Sequence, residues 1–594
     1  MKKTHAIALV LLFAAVALFY APTGSFEFLR LDDHDYTFRC AFVKDGLSVA
    51  NLVEAFTNLR HAAIWMPVTY ASYMADITLF GPGMGPHHLV NAVLHALNAA
   101  LLYALLVALA RRDDAPPRRG TAVVAVLLAA LWALHPQRVE AVAWIAGRKE
   151  LLCTGFTLAG LLCWLRPGGP LRALGTVLCC ALACLSKPTA MCFPFLAFVV
   201  RGLAAPQAAW RRRDSVVYGA LFACAVATGA VAVYSQTHPE GLPELALYTA
   251  SFPWRLLNAA VTVGLDLFQA VVPVGLHLDY RATPGAFPLD GARGLATLAV
   301  ALAAGVVALV CAWRRRARGV GFGAFARANS GLLLALFGLA ALAPTLGVFG
   351  SFGEAARADR FFYLPSIALV LALQLFVATR ARPPRFVAAG LPLLLAVLCV
   401  VPVSAGYRDS YRNDYTAFSR TLALDPDHGR ALAHVASEEC ARFGHIDRGI
   451  ELFRRSQALR PRDDTAAQLA YTLALRGLSS DYGEIRSLCA KFACDHALDR
   501  KGMALEALGM TAMRQRRWKE AISFFEDSIK APGRFYSPED AQLRLGACYC
   551  NAGRPADAIR VFEPLTQSRR VDIAPRARQF LATVKRNPNA LLLF

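Results

Sequence analysis

Charged residues are scarce in this chain. Only 18% of its 594 residues are Asp, Glu, Lys or Arg, whereas 56% are hydrophobic, and the mean hydropathy is +0.40. Because soluble domains contain about 25% charged residues, this composition excludes an ordinary soluble protein. The sequence therefore predicts a protein that is embedded in lipid.

Acidic residues are fewer than basic ones, 42 against 63, which gives a formal net charge of +21. A nucleic-acid-binding surface would gather the basic residues into one stripe with interleaved aromatic residues, and this chain has no such stripe. Its basic residues lie in short clusters between apolar runs, where signals of membrane topology belong. We therefore expect no nucleic-acid partner.

The chain also lacks a CxxC pair with partners at zinc spacing. Many of its 15 cysteines lie inside apolar runs and are interpreted as small hydrophobic residues. Two pairs near the C-terminus, Cys489 with Cys494 and Cys548 with Cys550, form disulfides if that region faces an oxidising compartment, and reduced core thiols are the alternative. The histidines of residues 34–95 include no helical pair with an acidic partner, so we expect no dedicated metal site and no cofactor.

Apolar runs of spanning length predict about eleven membrane crossings. The first, residues 6–20, follows Lys2 and Lys3 and is interpreted as an uncleaved helix, because no convincing cleavage site precedes Asp32. Residues 256–276 are also apolar but are interpreted as interfacial or re-entrant. The other predicted crossings are residues 88–110, 120–136, 150–165, 171–186, 189–205, 215–235, 294–313, 330–350, 362–379 and 386–404.

The basic clusters orient these crossings. With the N-terminus in the cytoplasm, every major cluster falls in a cytoplasmic loop, as the positive-inside rule requires. An odd number of crossings then places the C-terminal region on the exported side. We expect a multi-pass protein, most simply of a bacterial inner membrane, with a membrane domain over residues 1–404 and a first exported loop over about 23–86.

Residues 405–594 have a different pattern, charged and periodic like amphipathic helices. Phe418 followed by Ala423-Leu424-Asp425-Pro426 recurs as Phe453 followed by Ala458-Leu459-Arg460-Pro461, and two closer copies of the repeat follow from Leu508 and from Leu543. This spacing is typical of tetratricopeptide repeats. The predicted fold class is therefore all-α, a polytopic helical bundle followed by an α-solenoid. Such a solenoid would bind an acceptor or partner protein, and a purely structural appendage is the alternative.

Polar and charged residues are energetically costly in a membrane domain, so those that are present are candidates for function. The predicted exported loops contain Asp32 and Asp33, then His135 to Glu150, then Lys187, and finally Asp359 with Arg360. Cations hold a lipid-linked phosphate, and a carboxylate takes the proton of an incoming hydroxyl as general base. The pattern favours transfer of a group from a lipid phosphate to an exported acceptor.

Each motif also has a plainer interpretation. Aspartates after a first span are often solvated loop residues, His135-Pro136 is a normal helix stop, and Lys187 at a span end is placed to snorkel towards the interface. A non-catalytic membrane scaffold that docks envelope proteins through its repeats is the alternative function. A transporter is disfavoured, because most strong charges lie at span ends.

Several motifs occur in the order found in one known family. These are Trp65-Met66-Pro67-Val68-Thr69, His87-His88-Leu89-Val90-Asn91, His135-Pro136, Glu140-Ala141-Val142-Ala143-Trp144, Gly147-Arg148-Lys149-Glu150, Ser186-Lys187-Pro188 and Ala358-Asp359-Arg360 with Tyr363-Leu364-Pro365. Together with the repeats, they resemble the transmembrane and tetratricopeptide-repeat O-mannosyltransferases. The resemblance covers nearly the whole chain.

This resemblance implies a GT-C glycosyltransferase that uses a polyprenyl-phosphate sugar as co-substrate and transfers mannose, or a similar hexose, to Ser or Thr hydroxyls of an exported protein. It implies that Asp32 or Asp33 serves the acceptor. It also implies donor-phosphate or structural roles for seven residues, namely His135, Glu140, Arg148, Lys149, Lys187, Asp359 and Arg360. Two departures, Met66 where members often have His and His277-Leu278-Asp279-Tyr280-Arg281 in place of an aromatic and proline-rich motif, leave the sugar and the acceptor open.

Overall fold

The structure, a computed structural model, contains only helices in the part of the chain that it describes, and no β-strand. This confirms the predicted all-α class. The described residues are 2–61, 64–110, 121–165, 169–204, 212–238, 251–280, 292–300, 302, 303, 306, 310, 314, 329–348, 357–380, 390–494, 500–531, 538–568, 570–588 and 590–592.

The chain divides into two compact units, Met1–Ala417 and Phe418–Phe594. The sequence placed the boundary after residue 404, and its assignment of a membrane domain and an exported domain stays a prediction. The division falls within helix α16 (Asp414–Leu424).

The first unit contains fifteen further labelled helices. In chain order these are α1 (Lys2–Tyr20), α2 (Asp32–Tyr36), α3 (Val49–Thr57), α4 (Pro67–Phe80), α5 (Met84–Ala110), α6 (Thr121–Ala133), α7 (Val139–Ala143), α8 (Arg148–Leu165), α9 (Pro170–Ser186), α10 (Phe193–Ala204), α11 (Arg212–Thr237), α12 (Phe252–Gln269), α13 (Ser330–Leu342), α14 (Ile367–Arg380) and α15 (Gly390–Ser410). Helix α8 packs against α9 and α5, and α5 packs against α1. The short helix α7 packs against α5 and α8, and α2 packs against the turn of residues 145–147 that precedes α8.

Four helices of the described residues are long and apolar enough to cross a membrane. They are Lys3–Ser25, Met84–Ala110, Arg212–Thr237 and Gly390–Ser410, and the pair Ala122–Ala133 with Pro136–Ala143, bent by 60°, makes a fifth if it counts as one span. The expected count of about eleven is wrong by this criterion. Helix α12 is not among the candidates.

The difference has a physical reason. A crossing needs about 20 apolar residues, and four of the predicted spans are helices of at most 17 residues, namely Pro170–Ser186, Pro188–Ala204, Ser330–Thr345 and Ile367–Val377. A further predicted span, residues 150–165, belongs to α8, which begins with the buried charges Arg148, Lys149 and Glu150. The predicted span over residues 294–313 lies only partly within the described residues, which include 294–300, 302, 303, 306 and 310 of it.

The chain bends at His135 and Pro136 because a residue before proline is disfavoured in the α conformation. His135 is extended, with ψ of 137°, and Pro136 begins a short 3₁₀ turn in which the His135 Nδ1 accepts a hydrogen bond from the Gln137 N–H at 3.3 Å. The interpretation of this dipeptide as a helix stop is therefore correct. The bend directs the buried segment of residues 137–148 into the first unit.

The second unit is a series of helix pairs. Its helices are α17 (Gly429–Ala441), α18 (Ile446–Leu459), α19 (Asp463–Arg476), α20 (Tyr482–Cys494), α21 (Lys501–Arg514), α22 (Trp518–Lys530), α23 (Glu539–Asn551), α24 (Pro555–Leu565) and α25 (Ile573–Arg586). Two pairs, α17 with α18 and α21 with α22, are linked in the same way, because a serine hydroxyl of the second helix donates to a glycine carbonyl of the first. The bonds are Ser456 to Gly429 at 2.7 Å and Ser528 to Gly502 at 2.8 Å. This repetition confirms a helical repeat.

Glycines allow the paired helices to approach closely. A Cβ at Gly509 would lie 2.7 Å from the Phe525 ring, and one at Gly546 would lie 2.5 Å from the Phe562 ring. Only a residue without a side chain fits there. Cys489, Cys548 and Cys550 are buried free thiols in this unit.

Candidate active site

The short helix α2 places its two aspartates in different environments. The Asp32 side chain is 42% exposed, whereas Asp33 is completely buried. Asp33 accepts a hydrogen bond from the Leu29 N–H at 2.9 Å and another from the Ala146 N–H at 2.8 Å. Both of its oxygens are therefore occupied by backbone donors, one of them from the segment that precedes α8.

Burial raises the pKa of Asp33 to about 8, although the two backbone N–H groups act in the opposite direction. A carboxyl group that is buried, bonded on both oxygens and poorly ionised is not positioned to take a proton from an outside hydroxyl. Asp33 instead ties the first loop to the segment before α8. Asp32 is the carboxylate of this pair that a substrate can reach.

Lys149 is the nearest cation to Asp32, with Nζ 3.7 Å from a carboxylate oxygen. The Lys149 ammonium donates to the Tyr36 hydroxyl at 3.1 Å and lies 4.6 Å from the centre of the Tyr36 ring. Burial lowers the pKa of Lys149 to about 8; Asp32 opposes this effect, and Arg360 and Lys187 add to it. Lys149 therefore belongs to one electrostatic group with residues from three distant parts of the chain.

Arg360 contributes a second cation to this group. Its guanidinium pairs with Glu140, and its backbone N–H donates to the same carboxylate at 2.8 Å. The Arg360 guanidinium carbon also lies 4.7 Å from the Trp144 ring centre. The buried Arg360 Nε has no hydrogen-bond partner among the described residues. This free donor is available to an anion.

Lys187 is committed to an ion pair. Its ammonium contacts the Glu150 carboxylate and lies 5.1 Å from the centre of the Phe361 ring, and both charged side chains are nearly buried. Because a buried charge needs a partner, this pair fixes the end of α9 against the start of α8. Glu150 was not predicted as a site residue, although it follows Lys149 directly.

Asp359 is held by two tyrosines and does not join the group around Lys149. It accepts hydrogen bonds from Tyr280 at 2.8 Å and from Tyr407 at 3.0 Å. Arg357, 3.7 Å from Asp359, donates to Asp266 at 2.9 Å. The roles of Arg357, Asp266 and the tyrosines were missed because sequence spacing does not show which distant segments meet.

Arg148 lies in a separate buried network. It pairs with Asp76 and donates to the Asn91 side chain at 2.8 Å and to the His87 carbonyl at 2.7 Å. The His87 Nδ1 is 2.7 Å from Asp76. These contacts join α4, α5 and α8.

His135 is the remaining predicted residue, and it lines an apolar cavity instead of the charged group. The structure therefore brings together Asp32, Lys149, Arg360, Glu140 and Lys187. It places Asp33, Arg148 and Asp359 in supporting contacts. In the described residues, no three His, Cys, Asp or Glu side chains are arranged to hold a metal ion.

Tyr36 is the clearest residue that the sequence prediction missed. It lies one helical turn after Asp32, so α2 presents both residues to Lys149. The arrangement as a whole is an exposed carboxylate beside two cations, the buried Lys149 and the nearly buried Arg360, and Arg360 has an unused donor. It is able to accept a proton and to neutralise an anion at neighbouring positions.

No family model matches the chain. A curated protein, the Protein O-mannosyl-transferase Tmtc2 of Drosophila melanogaster, is 33% identical over 232 residues, which is 36% of this chain. The chain spans about a quarter of that relative's length, 24%. Among solved structures, the crystal structure of the yeast Tom70 matches 79% of this chain and 93% of its own chain, with 12% identity and a TM-score of 0.20.

Proposed function

We propose that this chain is a membrane glycosyltransferase that moves a hexose, mannose or a similar sugar, from a polyprenyl-phosphate donor to hydroxyl groups of an exported protein. The observation that carries the proposal is the exposed Asp32 carboxylate beside the buried Lys149 ammonium. The likeness to an O-mannosyl-transferase over 36% of the chain supports the same class of reaction.

Asp32 acts as the general base in this proposal. Its carboxylate takes the proton of the acceptor hydroxyl, and the hydroxyl oxygen forms a bond to the anomeric carbon of the sugar. The bond between that carbon and the phosphate oxygen breaks, and its electron pair leaves with the polyprenyl phosphate. The exposure of Asp32 supports this role, since Asp33 is closed off by the backbone donors of Leu29 and Ala146.

Lys149 and Arg360 stabilise the leaving phosphate. Negative charge grows on that group as the glycosidic bond breaks, so fixed cations lower the barrier. Arg360 offers its unpartnered Nε, and Glu140 and the Trp144 ring hold its guanidinium in one orientation. Lys149 supplies a point charge between Tyr36 and Asp32.

The other predicted site residues act by positioning Asp32, Lys149 and Arg360. Arg148 and Lys187 fix the start of α8, which positions Lys149, and Asp359 fixes the turn that precedes Arg360. His135 sets the bend after α6. In the proposal, the site faces the exported side of a bacterial inner membrane, and the helical repeat engages the acceptor protein.

The test uses the purified full-length protein, a radiolabelled polyprenyl-phosphate mannose and an extract of envelope proteins. Wild type should transfer label to protein, and Asp32→Asn should abolish the transfer. Asp45→Asn, which changes an exposed aspartate of the same loop, is the matched control and should leave the rate unchanged.

Equal transfer by Asp32→Asn and wild type would reject the proposed base. Absence of transfer from every polyprenyl-phosphate sugar, with envelope proteins still bound by the full chain, would favour the non-catalytic scaffold.

A further inference from the structure

Helix α3, in the first loop, has its large apolar side chains on the outside. Val49, Val53 and Phe56 are 79%, 56% and 41% exposed, and their spacing of four and three residues places them on one face of the helix. The side that faces the protein holds the buried Ala55 and the half-buried Asn51. An amphipathic helix of a soluble domain shows the opposite arrangement. The exposed face of α3 is therefore a surface that another phase or molecule covers.

The beginning of α3 is fixed beside the start of a candidate membrane span. The Leu47 N–H donates to the Thr78 hydroxyl at 2.6 Å, in the last turn of α4. The next two residues, Leu79 and Phe80, are 72% and 56% exposed, and the candidate span α5 begins at Met84. The exposed apolar surface therefore continues from α3 across the end of α4 to α5.

The end of α3 is fixed beside the end of a second candidate span, α11. The Arg60 Nε donates to the His238 carbonyl at 2.9 Å. His238 directly follows α11, and its ring stacks on that of Tyr234 in the same helix, with the ring centres 4.7 Å apart. Helix α3 thus runs between the start of α5 and the end of α11.

The basic residues of the sequence place these two span ends at the same membrane face. Arg111 and Arg112 follow α5, and Arg212 and Arg213 begin α11. The positive-inside rule predicts that these clusters are cytoplasmic, so the start of α5 and the end of α11 belong to the exported face. A helix of nine residues is about 14 Å long and too short to cross a hydrocarbon layer of about 30 Å. Helix α3 therefore fits along this face and not across it.

We propose that α3 lies in the exported surface of the bilayer, with Val49, Val53 and Phe56 inserted among the acyl chains of the phospholipids. Its polar edge, which includes the exposed Glu54, then faces the head groups. The Trp65 indole N–H donates to the Phe56 carbonyl at 3.2 Å, so a tryptophan lies at the end of α3. Tryptophan is enriched at membrane interfaces, where its apolar ring and its polar N–H are both accommodated.

The bilayer, and not a protein partner, is the occupant that the structure favours, because the same apolar surface continues on α5. Leu89, Val93 and Leu97 of that candidate span follow one another at intervals of four residues and are all exposed. A lipid-facing stripe on a span has this pattern. Lipid that covers α5 is therefore adjacent to the exposed face of α3. An interfacial α3 holds the first loop, which includes Asp32, against the membrane surface.

Spin labels at Val53 and at Glu54 test the proposal. The two residues are adjacent and exposed but lie on different faces of α3, so Glu54 is the matched control. Each is replaced in turn by p-acetylphenylalanine and labelled through the ketone, which leaves the native cysteines unchanged. The full-length proteins are reconstituted in vesicles of phosphatidylethanolamine and phosphatidylglycerol. Electron paramagnetic resonance then measures collisions of each label with oxygen, which partitions into hydrocarbon, and with a water-soluble nickel chelate.

The nickel collision rate should be about tenfold lower at Val53 than at Glu54, and the oxygen collision rate should be higher at Val53. A label at Phe56 should repeat the result for Val53. Equal nickel collision rates at Val53 and Glu54 would overturn the proposal. A label at Val53 that neither oxygen nor nickel reaches would also overturn it, because a protein or a second copy of the chain would then cover α3. The readout is the depth of the label, so it is independent of glycosyl transfer.

Discussion

Lys149 approaches Asp32 to 3.7 Å through a buried ammonium, while the Asp32 carboxylate remains 42% exposed. Lys149 is therefore the buried member of this ion pair, and Asp32 is the solvent-accessible member. Such a pair leaves the carboxylate accessible to an incoming hydroxyl. The neighbouring aspartate, Asp33, has no such freedom, and the two residues therefore predict opposite mutant phenotypes.

Asp32→Asn should lower the rate of transfer by about 10²–10⁴-fold, because the general base is lost, with little change in stability. The buried Lys149 ammonium loses its carboxylate partner but keeps its contacts with the Tyr36 hydroxyl and ring. Asp33→Asn should show the converse, because its amide nitrogen would face a backbone N–H of Leu29 or Ala146 and leave a buried donor unsatisfied. That change costs about 1–3 kcal/mol of the free energy of unfolding.

Thermal unfolding in detergent and single-turnover transfer of labelled sugar distinguish the two variants, and Asp45→Asn serves as the control for both. A normal melting temperature for Asp33→Asn would show that its backbone hydrogen bonds do not hold the first loop.

The pH dependence of donor binding should follow Lys149. Because burial lowers its pKa to about 8, the free protein loses this cation as the pH rises through that value. Affinity for polyprenyl-phosphate sugar should then fall about tenfold per pH unit above it. Lys149→Arg should keep binding at high pH, since an arginine stays protonated. Equilibrium binding of a labelled donor between pH 6 and about 10 measures the effect.

Folding stability should rise with pH between about 8 and about 10.4, whereas the affinity for the donor falls over the same range. The unfolded chain holds the Lys149 proton up to a pKa of about 10.4, whereas the folded protein releases it near pH 8. The unfolded state then binds more protons between these values, so the contribution of Lys149 to stability rises with pH.

For the binding measurement, a donor affinity that stays constant in the wild type up to about pH 10 would contradict the role of Lys149 as a cation that binds the donor phosphate.

The Lys187 and Glu150 pair predicts a coupled effect on stability. Lys187→Met leaves the Glu150 carboxylate buried without a partner and should cost about 3–5 kcal/mol. The double variant, Lys187→Met with Glu150→Leu, should recover most of this loss, because it removes both charges. A double-mutant cycle from chemical denaturation gives the coupling energy. Additive losses would show that each residue has independent partners.

Much of this architecture could be predicted from the sequence. Apolar runs and the basic clusters between them indicate membrane helices, and the bend after α6 follows from His135-Pro136 alone. The contact between Gly509 and the Phe525 ring could be predicted, because the repeat determines which positions of its two helices face each other. These features depend on local sequence, so a periodic pattern is enough to predict them.

Contacts between distant segments were not predictable. Nothing in the spacing shows that Lys149 meets Tyr36, or that Asp33 accepts a hydrogen bond from the Ala146 N–H. The predicted number of crossings was wrong for a related reason. Residues 150–165 form an apolar run, but the run does not show that Arg148, Lys149 and Glu150 at its start are buried inside the protein. Sequence composition predicts which residues avoid water but not which partner each one finds.

The glycines of the second unit predict where the repeat tolerates no side chain. Gly509→Ala should lower stability by about 1–3 kcal/mol, since the added Cβ would lie 2.7 Å from the Phe525 ring and force α21 and α22 apart. Gly483→Ala is the control, because a Cβ there has no neighbour within 4 Å and alanine is the better helix former. Hydrogen exchange of the full chain, followed by mass spectrometry, should show faster exchange over residues 501–530 in the first variant and unchanged exchange there in the second. Equal protection in both would mean that α22 shifts to accommodate the methyl group, and that this glycine is not required for close packing of the pair.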